Sequence, residues 1–256
     1  MEVHAHTHTA LDPDPSTSSG HRGRKKWTHY LWEFIMLFLA VYCGFLAENL
    51  REHKIESVRE KQYIRSMIED LETDMANLQK VIRGFSRNDS KYDTAIAFFP
   101  GITNGYNDTL WRTLPKGFPD FVKADRTMQQ LKNSGGMRLV KNKRAADGIT
   151  DYDLKCRNLD IDVNSLIGVH ERYYISYSEL IDHMALDADK KMMNPKELES
   201  GRKNYLLKSD KPSLGKFYNQ IKLLKELAGF VKSQEEKLLD KAVNLIELLK
   251  KEYHLE

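Results

Sequence analysis

The chain has 256 residues, with 40 Lys and Arg against 37 Asp and Glu. That near balance argues against a nucleic-acid binder, which carries a basic face or a high pI, and the length admits one large domain or two small ones. Charged residues make up 30%, with both signs mixed as in long solvated helices, and the 14 Gly and 7 Pro fall in a few clusters that leave long stretches uninterrupted.

Residues 1–26 are rich in Thr, Ser, Pro, Asp and His and poor in large apolar side chains, the composition of a disordered tail. His4, His6 and His8 alternate with Ala and Thr, and imidazoles so spaced can share a transition-metal ion. Nothing in the sequence orders the tail around an ion. The reading is a polar tail, with no metal and no cofactor expected. Cys43 and Cys156 lie far apart and define no disulfide framework.

The cluster Arg22, Arg24, Lys25, Lys26 precedes an apolar run from Trp27 to Ala47. As a helix that run is about 31 Å long, the thickness of a bilayer core. Trp27, Tyr30 and Trp32 sit at its basic end, where aromatic rings favour the headgroup region. A buried core helix is one rival, because the charge-free part, Phe34 to Ala47, is only about 14 residues. A cleaved signal peptide is another, but Phe45-Leu46-Ala47 puts a ring where a cleavage site wants a small residue. A lipoprotein signal would need a small residue before Cys43, where Tyr42 stands. An uncleaved transmembrane helix is expected. Glu33 lies near its start, where the cost of a carboxylate falls, and it can snorkel toward the basic cluster or pair with a neighbouring chain. The basic cluster implies a cytoplasmic N-terminus and a large domain outside the cytoplasm.

No Gly or Pro interrupts Leu46–Arg83, so the spanning helix is expected to run on into an exposed stalk carrying Glu48, Arg51, Glu52, Glu56, Arg59 and Glu60. Apolar residues then take a 4–3 spacing: Ile64, Ile68, Leu71, Met75, Leu78, Ile82, Phe85. A second seam runs Ile149, Tyr152, Cys156, Leu159, Val163, Leu166, His170, Tyr173, Tyr177, Leu180, Met184. The third is Phe217, Ile221, Leu224, Ala228, Val231, Glu235, Leu238, Ala242, Leu245, Leu249. Helices with such stripes bury them against one another. The fold class expected is mainly α: a transmembrane helix continuing into a long-helix antiparallel bundle with coiled-coil-like packing, residues 48–256, of three or four helices.

Residues 100–124 hold Pro100, Gly101, Gly105, Pro115, Gly117 and Pro119 together with Tyr106, Trp111, Phe118 and Phe121. Such an irregular loop either serves a function or is disordered. Its aromatics can line a ligand site or cap the bundle, and capping is preferred because buried rings stabilise without a ligand. A short helix is expected over Asp125–Asn133, stopped by Ser134-Gly135-Gly136, with a restart at Met137–Val140. Asn194-Pro195-Lys196-Glu197 has the signature of another helix start. His170 and Cys156 share the second seam but lie about four turns apart, too far to share an ion, and are read as core residues.

No phosphate-binding loop, His-Glu-x-x-His, Gly-x-Ser-x-Gly or Cys-x-x-Cys occurs. Cys156 has no base beside it in sequence, and the carboxylates are expected on solvated helix faces. The chain is not read as an enzyme.

The order of motifs is itself informative. A His-rich start and a basic cluster lead to Phe34-Ile-Met-Leu-Phe-Leu-Ala-Val-Tyr-Cys-Gly-Phe-Leu-Ala-Glu-Asn-Leu-Arg-Glu-His53. Arg59-Glu-Lys-Gln-Tyr-Ile-Arg-Ser-Met-Ile-Glu-Asp-Leu71 and Ser134-Gly-Gly-Met-Arg-Leu-Val140 follow. This pattern resembles a family of uncharacterised single-span membrane proteins common in Bacteroidetes-type bacteria. The resemblance implies an inner-membrane anchor and a helical domain and carries no activity or catalytic residue. Three function classes follow: a membrane-anchored interaction or scaffold module, an extracytoplasmic ligand sensor using the aromatic loop, and a partner of an ion-driven motor through Glu33. The partners expected are the lipid bilayer and another protein or a second copy of the chain.

Overall fold

Long helices with few breakers dominate the sequence, and the computed structural model, which describes residues 24–99, 113–192 and 205–255, is built from them. The tail with His4, His6 and His8, the loop aromatics Tyr106 and Trp111, and the helix start at Asn194 lie outside the described residues. Helix α1 spans Arg24–Phe98, α2 Arg126–Asn133, α3 Lys143–Leu180, α4 His183–Met192 and α5 Lys211–Tyr253, with a 3-10 turn at Gly136–Leu139. Among the described residues the protein is mainly α, and its β pairing is one isolated bridge, Ile181 with Leu206. The chain divides into two units, Met1–Ile55 and Glu56–Glu256.

In the first unit α1 carries the apolar run. One helix of the described residues is long and apolar enough to cross a membrane. Its large side chains are exposed, from Trp27 at 80% through Tyr30, Trp32, Phe34 and Phe45 to Leu50. Phe34, Phe38 and Tyr42 recur at a spacing of four, which places them on one side of the helix. Their rings stack in sequence, with centroids 6.4 and 6.1 Å apart. Glu33 and Ala47 are exposed on the same segment. Arg51 and Glu48 form an exposed ion pair one turn apart.

In the second unit three long helices share one core. All ten positions of the third seam are buried on α5, and Leu214 and Tyr253 extend the stripe at its two ends. The α5 start is capped by Asp210, whose carboxylate accepts the Ser213 N–H at 2.9 Å. The α3 start is capped by Asn142, which accepts the Ala145 N–H at 3.1 Å. Along α3 most of the second seam is buried, with Val163, His170 and Tyr177 half-buried. Val169 and Ser176, beside the expected stripe, are buried as well. The expected extension to Met184 is corrected. Helix α3 ends at Leu180, Ile181 turns extended to meet Leu206, and Met184 on α4 is 83% exposed. On α1 the first seam is buried except for half-buried Met75 and Ile82, and Tyr92 and Ala95 carry the stripe past Phe85.

Cross-helix contacts set the directions. On α1 and α5, Glu60 meets Tyr253, Glu72 meets Lys250 at 3.9 Å and Asp89 meets Lys225 at 3.7 Å, so the two run antiparallel. Helices α3 and α5 are antiparallel too, through the Asp151–Lys241 ion pair at one end and the Tyr173 and Phe217 rings, 5.4 Å apart, at the other. Among the described residues the bundle therefore has three long helices. Residues 113–142 form a strap across α1 and α3 that takes the place of a fourth. The short helix of the strap ends as its glycines require: Gly135 is left-handed, with φ 64°. The exposed stalk expected through Glu60 is also corrected, since Glu60 is only 7% exposed and belongs to the bundle.

Candidate functional site

The carboxylates do not all face water. Glu60, Asp70, Asp74, Asp153 and Glu235 are buried, a correction to the expectation of solvated faces. Four of them lie under the strap. An irregular segment cannot satisfy its own backbone N–H groups as a helix does, so buried donors there need outside acceptors. Helix α1 supplies them.

Asp74 accepts the Ala124 N–H at 2.6 Å and the Tyr152 hydroxyl at 2.7 Å. Burial pushes the Asp74 carboxyl above its ordinary value, and these two bonds oppose the push without cancelling it. Asp70 accepts the Thr127 N–H at 2.8 Å and the Arg126 guanidinium at 3.2 Å. It thereby caps the first turn of α2 from another helix, where Asp125 in the cap position makes no capping bond. Glu60 accepts the Lys141 N–H at 2.7 Å and the Tyr253 hydroxyl at 2.6 Å. Burial raises the Tyr253 phenol well above its ordinary value, and its bond to Glu60 adds to that.

Asp153 on α3 gathers cations. Lys123 lies at 2.9 Å, Lys132 at 2.7 Å and Arg157 at 3.4 Å. Burial alone would raise its carboxyl, but the hydrogen bonds from Lys132 and Lys123 outweigh burial and hold it below the ordinary range. Side-chain amides pin the rest of the strap: Asn77 donates to the Val122 carbonyl at 3.0 Å and Asn88 to the Gly117 carbonyl at 2.8 Å. Pro119 sits so close over α1 that a Cβ at Gly84 would lie 2.8 Å from its ring.

Beside this belt, Cys156 is buried and its thiol is pushed up to about 11 by desolvation. A protonated, buried thiol is not a nucleophile. The Tyr152 phenol beside it is raised well beyond its ordinary value, first by burial. These groups can hold protons in place and fix the strap.

Of the loop aromatics, Phe118 and Phe121 lie within the described residues. Phe118 stacks on Phe85 with centroids 6.4 Å apart and meets the edge of His170 at 5.2 Å. Phe121 is half-buried against the core. His170 keeps one ring nitrogen, Nε2, without a partner, and burial lowers its pKa. It packs among Phe118, Tyr173 and Tyr174.

An open crease of about 660 Å³ lies between α3 and α5. Its rim mixes signs through Asp151, Lys155, Asp162, Lys237 and Lys241, over a floor that includes Leu159 and Leu238. Among the described residues no group of three or more His, Cys, Asp or Glu side chains is arranged to hold a metal ion. The apolar-run residues Trp27, Tyr30, Trp32, Glu33, Phe34 and Ala47 belong to the other unit. A signal for the missed carboxylates does stand in the sequence: Asp70 and Asp74 each precede a seam residue, Leu71 and Met75, by one position.

The fold and site together define a class: a helical bundle with an internal polar belt, in a chain that also carries an exposed apolar helix. No family model, curated protein or solved structure matches the chain.

Proposed function

We propose that this protein is a membrane-anchored helical scaffold, held in the inner membrane by Trp27–Ala47 and presenting its bundle outside the cytoplasm to a protein partner or a second copy. The observation that carries this reading is the exposure of the large apolar side chains from Trp27 to Leu50. In water that surface would be unfavourable by roughly 25 cal/mol per Å², and lipid removes the cost. The basic cluster at residues 22–26 supports the orientation. Glu60, Asp70, Asp74 and Asp153 support a structural role for the belt, because each is bonded to a group of the strap. The resemblance to single-span membrane proteins agrees with an anchor.

Reporter fusions after residue 90 test the topology. The expected result is activity of extracytoplasmic reporters only, and activity of cytoplasmic reporters alone would reverse the orientation. Extraction by carbonate would remove the anchor from the proposal. Purification in mild detergent is expected to bring down a defined protein partner or to give an oligomer. Glu33, exposed within the run, favours a helix–helix contact in the membrane, where a carboxylate seeks a partner. Glu33→Gln should then weaken that association and leave insertion unchanged.

A further inference from the structure

We propose that Glu235 is a proton-operated latch of the bundle: as a neutral acid it lets α5 close against the other helices, and as a carboxylate it forces that seam open. Glu235 stands in the middle of the α5 stripe, between Val231 and Leu238, both buried. Its exposure is 0%, and neither side-chain oxygen has a hydrogen-bond partner. A buried carboxylate in that position has nothing to replace its water, so it takes up a proton or brings water in.

The surroundings reinforce this. From the strap Asp120, and on α5 itself Glu236, act on Glu235 with like charge. On α1, Asp89 and Tyr92 line a cavity of about 150 Å³ together with Lys232 and Glu236. Lys232, the cation one turn before Glu235, is engaged by Glu236 at 3.6 Å. On α3, Asp160 and Asp162 lie beside Leu159, at the level where Leu159 and Asp162 share the crease with Gln234 and Leu238. Desolvation first, then the charges of Asp120 and Glu236, push the Glu235 carboxyl from 4.5 up to about 8. The small cavity beside Glu236 gives water an entry once the charge forms.

The sign follows from linkage. The folded state binds the extra proton between about pH 4.5 and 8, so the contribution of Glu235 to stability is complete below 4.5 and is lost as pH rises through 8. Over that span the folded-to-unfolded ratio of the wild type should fall by roughly a thousandfold relative to Glu235→Gln. The test uses the full chain in detergent. Urea midpoints from pH 4.5 to 9 are compared for wild type, Glu235→Gln and Glu235→Leu, and backbone hydrogen exchange in α5 is followed in the wild type at pH 6.5 and pH 9, corrected for the intrinsic rate. The expected result is a wild-type midpoint that falls with pH against flat differences for both variants, with protection around Val231–Leu238 lost at pH 9. Parallel pH profiles for the three proteins would overturn the latch. So would unchanged protection of that stretch in the wild type, a reading that does not depend on how the variants fold.

Discussion

Beneath the strap, Glu60, Asp70, Asp74 and Asp153 each accept at least two hydrogen bonds or ion pairs, whereas Glu235 in the α5 seam accepts none. Both regions are buried, but Glu235 occupies a seam position while Asp70, Asp74 and Asp153 stand one position from one. The difference lies in what packs against them. An irregular segment brings unpaired N–H groups, and a carboxylate beside it replaces the water those groups have lost. A neighbouring helix has already used its own N–H groups, so a carboxylate facing it finds no backbone donor. The same residue type therefore fixes structure in one place and stores a protonation cost in the other.

This contrast can be broken at either end. The largest effect is expected from Asp74→Leu, which leaves the Ala124 N–H and the Tyr152 hydroxyl without acceptors. Each buried donor left unpaired costs about 1–3 kcal/mol, and a urea midpoint measured on the full chain in detergent should show the loss of both. A loss below about 1 kcal/mol would mean that water satisfies the strap instead. Gly84→Val comes next: its side chain must displace the Pro119 ring, an overpacking expected to cost about 1–3 kcal/mol and to open the strap to protease.

Asp153→Asn sharpens the comparison through pH. Because the folded-state carboxyl is held below its ordinary value of 3.8, its stabilisation is present above that value and is lost as pH falls through the lower, folded one. The variant should be about 1–3 kcal/mol less stable than wild type at pH 7, with the gap closing in acid. A gap that stays constant down to pH 2 would show that the three cations contribute no charge pairing. Glu235→Leu should have the opposite sign, a gain of about 1–2 kcal/mol at pH 7, because an apolar side chain removes an unpaired buried acid. A loss there would mean that the carboxyl has a donor after all. Smallest is Asp162→Ala on the rim of the α3–α5 crease, where a half-buried side chain is expected to change the midpoint by less than about 0.5 kcal/mol. A larger loss would move the polar anchoring of α3 from the strap side to the crease.

Much of the bundle was legible because seams are local. The ten α5 positions share one face by period alone, and all ten are buried. The end of α2 was legible for the same reason, since Gly135 takes a backbone conformation that other residues avoid. Met184 was misplaced because the period continues past Leu180 while the backbone does not. Ile181 leaves the helix to pair with Leu206, a residue far along the chain that no local pattern contains. Glu60 looked like part of a charged stalk because its donors, the Lys141 N–H and the Tyr253 hydroxyl, come from distant segments.

The sequence by itself determined the apolar run at Trp27–Ala47, the three long helices and the faces they bury, since hydrophobic length and period act through neighbouring turns. Only the tertiary structure decided that residues 113–142 cross α1 and α3 as a strap, which acids that strap satisfies, and that Glu235 is left without a donor. Each of those outcomes depends on which backbone N–H groups arrive at a given carboxylate, and that is set by contacts between segments tens of residues apart.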